Sequence, residues 1–425
     1  MLESVLMFGS LPPPYGGVSI HVENLSRELS KYIKVIVLND KPTYDKRKLN
    51  RVVVYCPITT IHSLGSKRNP KDLLETLKMN IITYRLTSLQ ISLSFLVKST
   101  KYIKLEFNPL KEVVFYPTLK KVFREHRIDI IHAHHAGVRS LRGVIVKELW
   151  KLNIPLVITV HGGEFYHTKR NLKLAKFVLT KASKVIVTSE KIRRLLEKLN
   201  LPIDKIVKIP NGVDTSLFKP RKGKKGNCIR LLYVGRISKV KGIYELLKSF
   251  HQLKSKYKNI KLIIVGHGDL SILSNLIQKY TLKGAVEVIT EVPHNKMVDI
   301  YNEADIFVLP SRFEAFGIAL LEAMSCGLPV VTTYQYDNQH EFIEDGVNGL
   351  LIKPKDVYEL TEKLSQLIED ESLRKELGFR ARKTIVRRFN WNLIAKELIN
   401  LYKSCIAVSY THLRAHETEA DLVCR

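Results

Sequence analysis

Paired cysteines are missing from this chain. Its 425 residues include five cysteines, Cys56, Cys228, Cys326, Cys405 and Cys424, and no two stand as Cys-x-x-Cys. Their spacing suits neither a zinc site nor a disulfide framework, so a reducing compartment, the cytoplasm, is expected. Long apolar runs are missing too; none approaches the ~18–20 residues that a membrane-spanning helix needs. Glu3 and the run Pro12-Pro13-Pro14 interrupt the start, so no secretory signal peptide is expected there. Acidic residues are scarce beside basic ones: 41 Asp and Glu stand against 69 Lys and Arg, a formal net charge of +28. Residues 1–215 hold 37 of the basic and only 17 of the acidic residues, so the excess sits mainly in the first half. Such a field favours an anionic partner, whether membrane lipid, nucleic acid or a phosphorylated substrate, although solvated lysine-rich faces explain part of it.

What is present is ample apolar residue. Hydrophobic side chains make up 45% of the chain, enough for a real core, and the length suits two or three domains. Short β-branched runs recur in the first half at Val5–Phe8, Val35–Leu38, Val52–Tyr55, Ile128–Ile131, Leu156–Val160 and Val185–Val187. Runs apolar on both faces suit buried parallel strands. Helical patterns such as Val18–Ser30 and Ser140–Leu152 lie between them. The second half repeats the plan at Leu231–Val234, Leu262–Val265, Val286–Ile289, Ile306–Leu309 and Val330–Thr332. The alternation predicts an α/β chain of two doubly wound parallel sheets. The basic stretch Lys219–Asn227 reads as the linker, and a ligand is expected at the C-terminal strand ends in the cleft between the domains.

Two stretches stand apart. Residues 72–100 carry helically spaced apolar positions with recurring Lys and Arg, which fits either an amphipathic insertion on a membrane or a helix pair packed on the sheet. Val408–Arg425 shows no evident helical or strand period and resembles a translated sequencing adapter. It is expected to be non-native, which leaves His412, His416 and Cys424 out of any metal site. The expected divisions are 1–215, 216–389, a C-terminal helix at 390–406 and the tail 407–425.

Chemistry concentrates at two strand-to-helix junctions. In LLYVGRISKVKGIYELLKSF, Leu231–Phe250, a strand ends at Gly235, Arg236 and Lys241 follow, and Gly242 leads into a helix. A guanidinium fork and a flexible ammonium beside a helix N-terminus are placed to grip a diphosphate. In FEAFGIALLE, residues 313–322, Glu314 follows a strand, Phe316-Gly317 opens a helix, and Glu322 lies further along among apolar residues. Two carboxylates there suit sugar hydroxyls at either end of a nucleotide-sugar. An acid favoured by the helix dipole and a surface glutamate form the plainer reading, which the apolar neighbours Ile318, Leu320, Leu321, Ala323 and Met324 oppose.

The chain resembles the glycosyltransferase family 4 enzymes (glycosyl transferases group 1), which are retaining and have the GT-B fold of two Rossmann-like domains. The resemblance rests on four motifs in order: Pro14-Tyr15-Gly16-Gly17-Val18, Ile209-Pro210-Asn211-Gly212-Val213-Asp214, the Gly-Arg…Lys-Gly segment at 235–242, and Glu314 with Glu322. It implies that Gly16 and Gly17 approach the donor phosphates and that Arg236 and Lys241, after Gly235, bind the diphosphate. Glu314 with the backbone of Phe316 and Gly317 would hold the transferred sugar, and Glu322 the ribose. His161 matches a histidine near the reacting centre, and backbone near Gly266, Gly268 and Val292 would face the base. His134 is a candidate acceptor contact. The HAHH cluster at His132, His134 and His135 is not taken as a metal site, since the resemblance implies metal-independent transfer without a cofactor.

The expected activity is transfer of a sugar from a nucleotide-diphosphate sugar, UDP or GDP, to a glycan or lipid-linked acceptor in surface polysaccharide or glycolipid synthesis. The expected setting is the cytoplasmic face of an anionic membrane, with no nucleic acid partner. A nucleotide-sugar epimerase on the same frame, or an inactive polyanion-binding protein, are the alternatives.

Overall fold

A computed structural model describes residues 2–12, 17–39, 51–55, 115–162, 168–221, 226–334 and 340–423. Gly16 and the helical insertion expected over 72–100 lie outside the described residues. Contacts divide the chain into two units. The first comprises Met1–Thr188, Ile192–Ile209 and Ala395–Arg425, and the second Ser189–Lys191 and Pro210–Ile394. The sequence reading set the boundary after residue 215 and kept the last helix apart.

The first unit holds β1 (Ser4–Gly9), α1 (Gly17–Leu29), β2 (Lys34–Asn39), β3 (Val52–Tyr55), α2 (Phe115–Glu125), β4 (Ile130–His134) and α3 (Val138–Leu149). It continues with β5 (Leu156–Val160), α4 (Thr168–Lys181), β6 (Lys184–Val187), α5 (Glu190–Glu197, from Ile192 on) and β7 (Ile206–Lys208). The strands form one seven-stranded sheet, β3-β2-β1-β4-β5-β6-β7, and every pairing is parallel. β1, β4 and β5 are buried along their whole length. That explains the apolar runs of β1 and β5, since helices cover both faces of a parallel sheet.

The second unit holds β8 (Ile229–Val234), α6 (Ile243–Lys256), β9 (Ile260–Val265), α7 (Leu270–Lys279), β10 (Val286–Ile289), α8 (Met297–Glu303) and β11 (Ile306–Leu309). After these come α9 (Ile318–Ser325), β12 (Val330–Thr333), β13 (Leu350–Ile352), α10 (Val357–Glu369) and α11 (Glu371–Arg388). Its six-stranded sheet runs β10-β9-β8-β11-β12-β13, again wholly parallel. Leu232, Tyr233, Phe250, Phe307 and Leu320 sit in its core. The strand β10 is an edge, half-buried at its two end residues and exposed at the two between them.

The last helix, α12 (Trp391–Val423), corrects one expectation. The stretch from Val408 had shown no helical period, yet the helix runs through it. It lacks Gly and Pro and is rich in Ala, Leu, Glu and Arg. Extending an existing helix also needs no new nucleus. Among the described residues no helix is long and apolar enough to cross a membrane.

Candidate active site

In each sheet the chain reverses its direction of winding between two neighbouring strands, and loops leaving such a pair diverge to open a crevice. In the second unit that pair is β8 and β11. After β8 the chain passes Gly235 and Arg236 and makes a 3-10 turn at Lys239–Lys241 before α6. Gly242, between turn and helix, has φ of 75°. A Cβ there would collide with the carbonyl oxygen of Pro310, so glycine lets the two junctions touch. The Tyr233 hydroxyl donates to the Arg236 carbonyl at 2.8 Å. Burial raises the pKa of that phenol and keeps it a donor. The Arg236 side chain is exposed.

The loop after β11 meets this segment. Lys241 Nζ lies 2.6 Å from Glu314 Oε2. Arg312 N donates to the Val240 carbonyl at 2.8 Å. The Arg312 guanidinium donates twice to Glu245 Oε1 on α6, from Nε at 2.8 Å and Nη2 at 2.6 Å. Glu245 is buried, so this pair is well shielded from water. Gly317, in the left-handed region, precedes α9, and no side chain caps that helix. Its first-turn N–H groups are the kind that receive a ligand oxygen.

Glu322, one turn into α9, is buried with 5% of its surface exposed. His294 Nε2 stands 2.6 Å from its Oε1, and the Tyr301 hydroxyl donates to Oε2 at 2.8 Å. Burial, then the charge of Glu322, raises the Tyr301 pKa well above the usual phenol range. Phe218 packs beside both, its ring 5.2 Å from that of His294 and 5.9 Å from that of Tyr301. The carboxylate is thus oriented before any ligand arrives.

The ends of β8 and β9 are stitched together nearby. Ile237 N donates to the His267 carbonyl at 2.9 Å and Asp269 N to that of Ile237 at 3.1 Å. Gly266 has φ of 148° and abuts the Gly235 carbonyl so closely that a Cβ would overlap it. Gly268 is exposed and Val292 half-buried in the loop after β10. Ser189–Lys191 group with this unit, and Lys191 Nζ lies 3.8 Å from the centre of the Phe313 ring. Burial lowers the pKa of that ammonium, Glu314 opposes the shift, and Lys241 adds to it.

In the first unit the reversal falls between β1 and β4. Gly17 opens α1 and is exposed. His132 and His134 project from β4, and His161 follows β5. His132 Nδ1 is 2.6 Å from the Tyr402 hydroxyl and its Nε2 2.7 Å from Thr159 Oγ1. His134 Nδ1 is 3.3 Å from His161 Nε2. The His21 ring, from α1, lies 5.2 Å from that of His134 and 4.9 Å from that of His161. Burial lowers the His132 pKa to about 3. Burial and the surrounding imidazoles hold His134 and His161 well below the usual range. All three are neutral at pH 7.

Two family models match adjoining stretches of the chain: "Glycosyltransferase Family 4" over residues 93–217 and "Glycosyl transferases group 1" over residues 214–384. The chain belongs to the family 4 glycosyltransferases. An uncharacterised glycosyltransferase of Methanocaldococcus jannaschii is 26% identical over 407 residues, 95% of this chain and 99% of its own length. Sucrose-phosphate synthase from Thermosynechococcus elongatus superposes with a TM-score of 0.71 at 20% identity, over 96% of this chain and all of that one. Anabaena HepE, in complex with UDP and glucose, gives the same TM-score and identity over 95% of this chain and all of its own. These neighbours give the glycosyltransferase its fold, GT-B.

Within the second unit of the glycosyltransferase, Gly235, Lys241, Glu314, Phe316 and Gly317 gather around the β8 and β11 loops. Glu322 lies behind them on α9. Gly266 and Gly268 follow β9, and Val292 follows β10. Within the first unit, His134 and His161 come together, and Gly17 opens the α1 that carries His21. Several neighbours gave no warning in the sequence. Tyr301 and the Glu245–Arg312 pair sit in ordinary helix and loop contexts. His21 is a single histidine in an amphipathic pattern.

Proposed function

We propose that this glycosyltransferase is a retaining, hexosyltransferase-type enzyme that moves a sugar from a nucleotide-diphosphate sugar to a glycan or lipid-linked acceptor. The observation that carries the reading is the ion pair of Lys241 with Glu314, formed where the β8 and β11 loops meet beside the uncapped start of α9. A cation, a carboxylate and free helix N–H groups side by side match the two parts of a nucleotide-sugar at its scissile bond. Cleavage puts negative charge on the departing diphosphate, which Lys241 and Arg236 would meet where it develops. Glu314 would accept hydrogen bonds from the sugar hydroxyls. Glu322, held by His294 and Tyr301, suits the ribose diol as a fixed acceptor.

Retention follows if the acceptor hydroxyl attacks from the face that the diphosphate leaves and gives its proton to a phosphate oxygen. The neutral imidazole of His161 would contact the transferred sugar without adding charge. With Arg236 and Lys241 on the diphosphate, this step calls for no metal. The basic first half suits an anionic membrane surface on its cytoplasmic side, where lipid-linked acceptors of surface polysaccharide lie.

HepE was solved with UDP and glucose, which makes UDP-glucose the first donor to try. The test incubates the protein with a panel of UDP- and GDP-sugars, with and without membranes, and follows nucleotide diphosphate release and the anomeric configuration of the product by NMR. Acceptor-dependent release with retained configuration is the expected result. Conversion of the donor sugar alone would indicate an epimerase, and no turnover with any donor would overturn the reading.

A further inference from the structure

We propose that His21, His134 and His161 form a tri-imidazole site for a late first-row divalent metal ion of the zinc class, and that an ion there withdraws His161 from the donor sugar. The site stands on the geometry of the first unit alone; only its inhibitory consequence rests on the proposed transferase activity. One ligand atom from each of the three histidines lies within 4.8 Å of the others. Two nitrogens bound to one tetrahedral ion at about 2.0–2.1 Å stand roughly 3.4 Å apart. His134 Nδ1 and His161 Nε2 are 3.3 Å apart already. His21 completes the set within 4.8 Å.

The three ligands come from α1, the last residue of β4 and the first residue after β5. β4 and β5 are adjacent parallel strands with His134 opposite Thr159, so two of the ligands are fixed by sheet register. Beneath them His132 is clamped between Tyr402 and Thr159, which keeps the β4 backbone in place. His134 is fully buried, and its Nδ1 faces His161.

The donor set selects the ion. Three imidazoles, with no carboxylate joining them among the described residues, suit zinc, copper, nickel or cobalt, whereas magnesium and calcium demand oxygen ligands. The site is therefore separate in kind from any magnesium-assisted diphosphate binding.

The test uses the full chain dialysed against EDTA and titrated with Co²⁺, read by its visible d–d absorption. One equivalent should produce an intense band that Zn²⁺ abolishes. His21→Gln and His134→Gln should each weaken binding at least as much as loss of an outer-shell partner does, roughly 10–100-fold. Circular dichroism melts of both variants establish that they fold. Absence of the band, or an unchanged titration in both folded variants, overturns the site. In the transfer assay Zn²⁺ should inhibit the wild type, EDTA should restore it, and His21→Gln should resist. Turnover unaffected by saturating Zn²⁺ overturns the inhibitory role, and a chain with no transferase activity leaves the cobalt titration to decide the site.

Discussion

Lys241 and Glu314, 73 residues apart in sequence, face each other at 2.6 Å across the junction of two loops. Their side chains keep 25% and 13% of their surface exposed, so the pair is shielded yet reachable by a ligand. Lys241→Ala removes the cation proposed to face the leaving diphosphate. By analogy with loss of an oxyanion donor, turnover should fall about 100–1,000-fold. The thermal melt should move little, because the pair lies at the rim of the core. Steady-state kinetics that match the wild type would remove the diphosphate assignment.

Tyr301→Phe separates binding from chemistry. It takes away the hydroxyl that donates to Glu322 Oε2 and leaves the His294 contact in place. A buried carboxylate that loses one such bond costs about 1.5–3 kcal/mol. Urea denaturation should show that loss. The KM for the donor should rise while kcat stays close to that of the wild type, since the proposed role of Glu322 is to hold the ribose, away from the breaking bond.

Gly266→Ala tests the stitching of β8 to β9. The substitution places a methyl against the Gly235 carbonyl and holds alanine at φ of 148°. Strained backbone of this kind costs on the order of 1–3 kcal/mol before any collision is counted. A denaturant melt should show a loss at the top of that range or beyond. Retained stability would mean that the loop relaxes freely.

His340 gives the second unit a pH limit. Burial, with a smaller contribution from Lys191, lowers its pKa to about 3. In the unfolded chain the same imidazole titrates near 6.5. Between those values the unfolded state binds the proton and the folded state does not. Stability is therefore complete above about pH 6.5 and declines as pH falls toward 3. At pH 4 the loss from this residue should be about 3 kcal/mol. Urea melts at pH 7 and pH 4 on wild type and His340→Gln measure it; equal pH slopes would assign the acid sensitivity elsewhere.

The sheets were readable because a parallel strand covered on both faces leaves a continuous apolar run. Ile306–Leu309 matches β11 residue for residue. The edge strands β7 and β13 went unseen because three residues, as in Ile206–Lys208 and Leu350–Ile352, are too few to show a pattern. β4 was placed early, at Ile128–Ile131, because His132 and His134 interrupt its apolar run although both are buried. Arg236, Lys241, Glu314 and Glu322 announced themselves through spacing at glycine-bearing junctions. Their supports did not. Tyr301 and Glu245 are brought in by helix packing, and His21 by the register of α1 on the sheet, which no local pattern encodes.

The bond between His132 and Tyr402 spans 270 residues inside one unit. Ribosomes add about 5–20 residues per second, so His132 waits roughly 14–54 s for its partner to be made. Throughout that interval the nascent amino-terminal sheet carries a buried imidazole lacking its phenol, while the whole second sheet is synthesised. The early product should depend on chaperones and be easily proteolysed, and shortening the gene before Tyr402 should harm the part translated first.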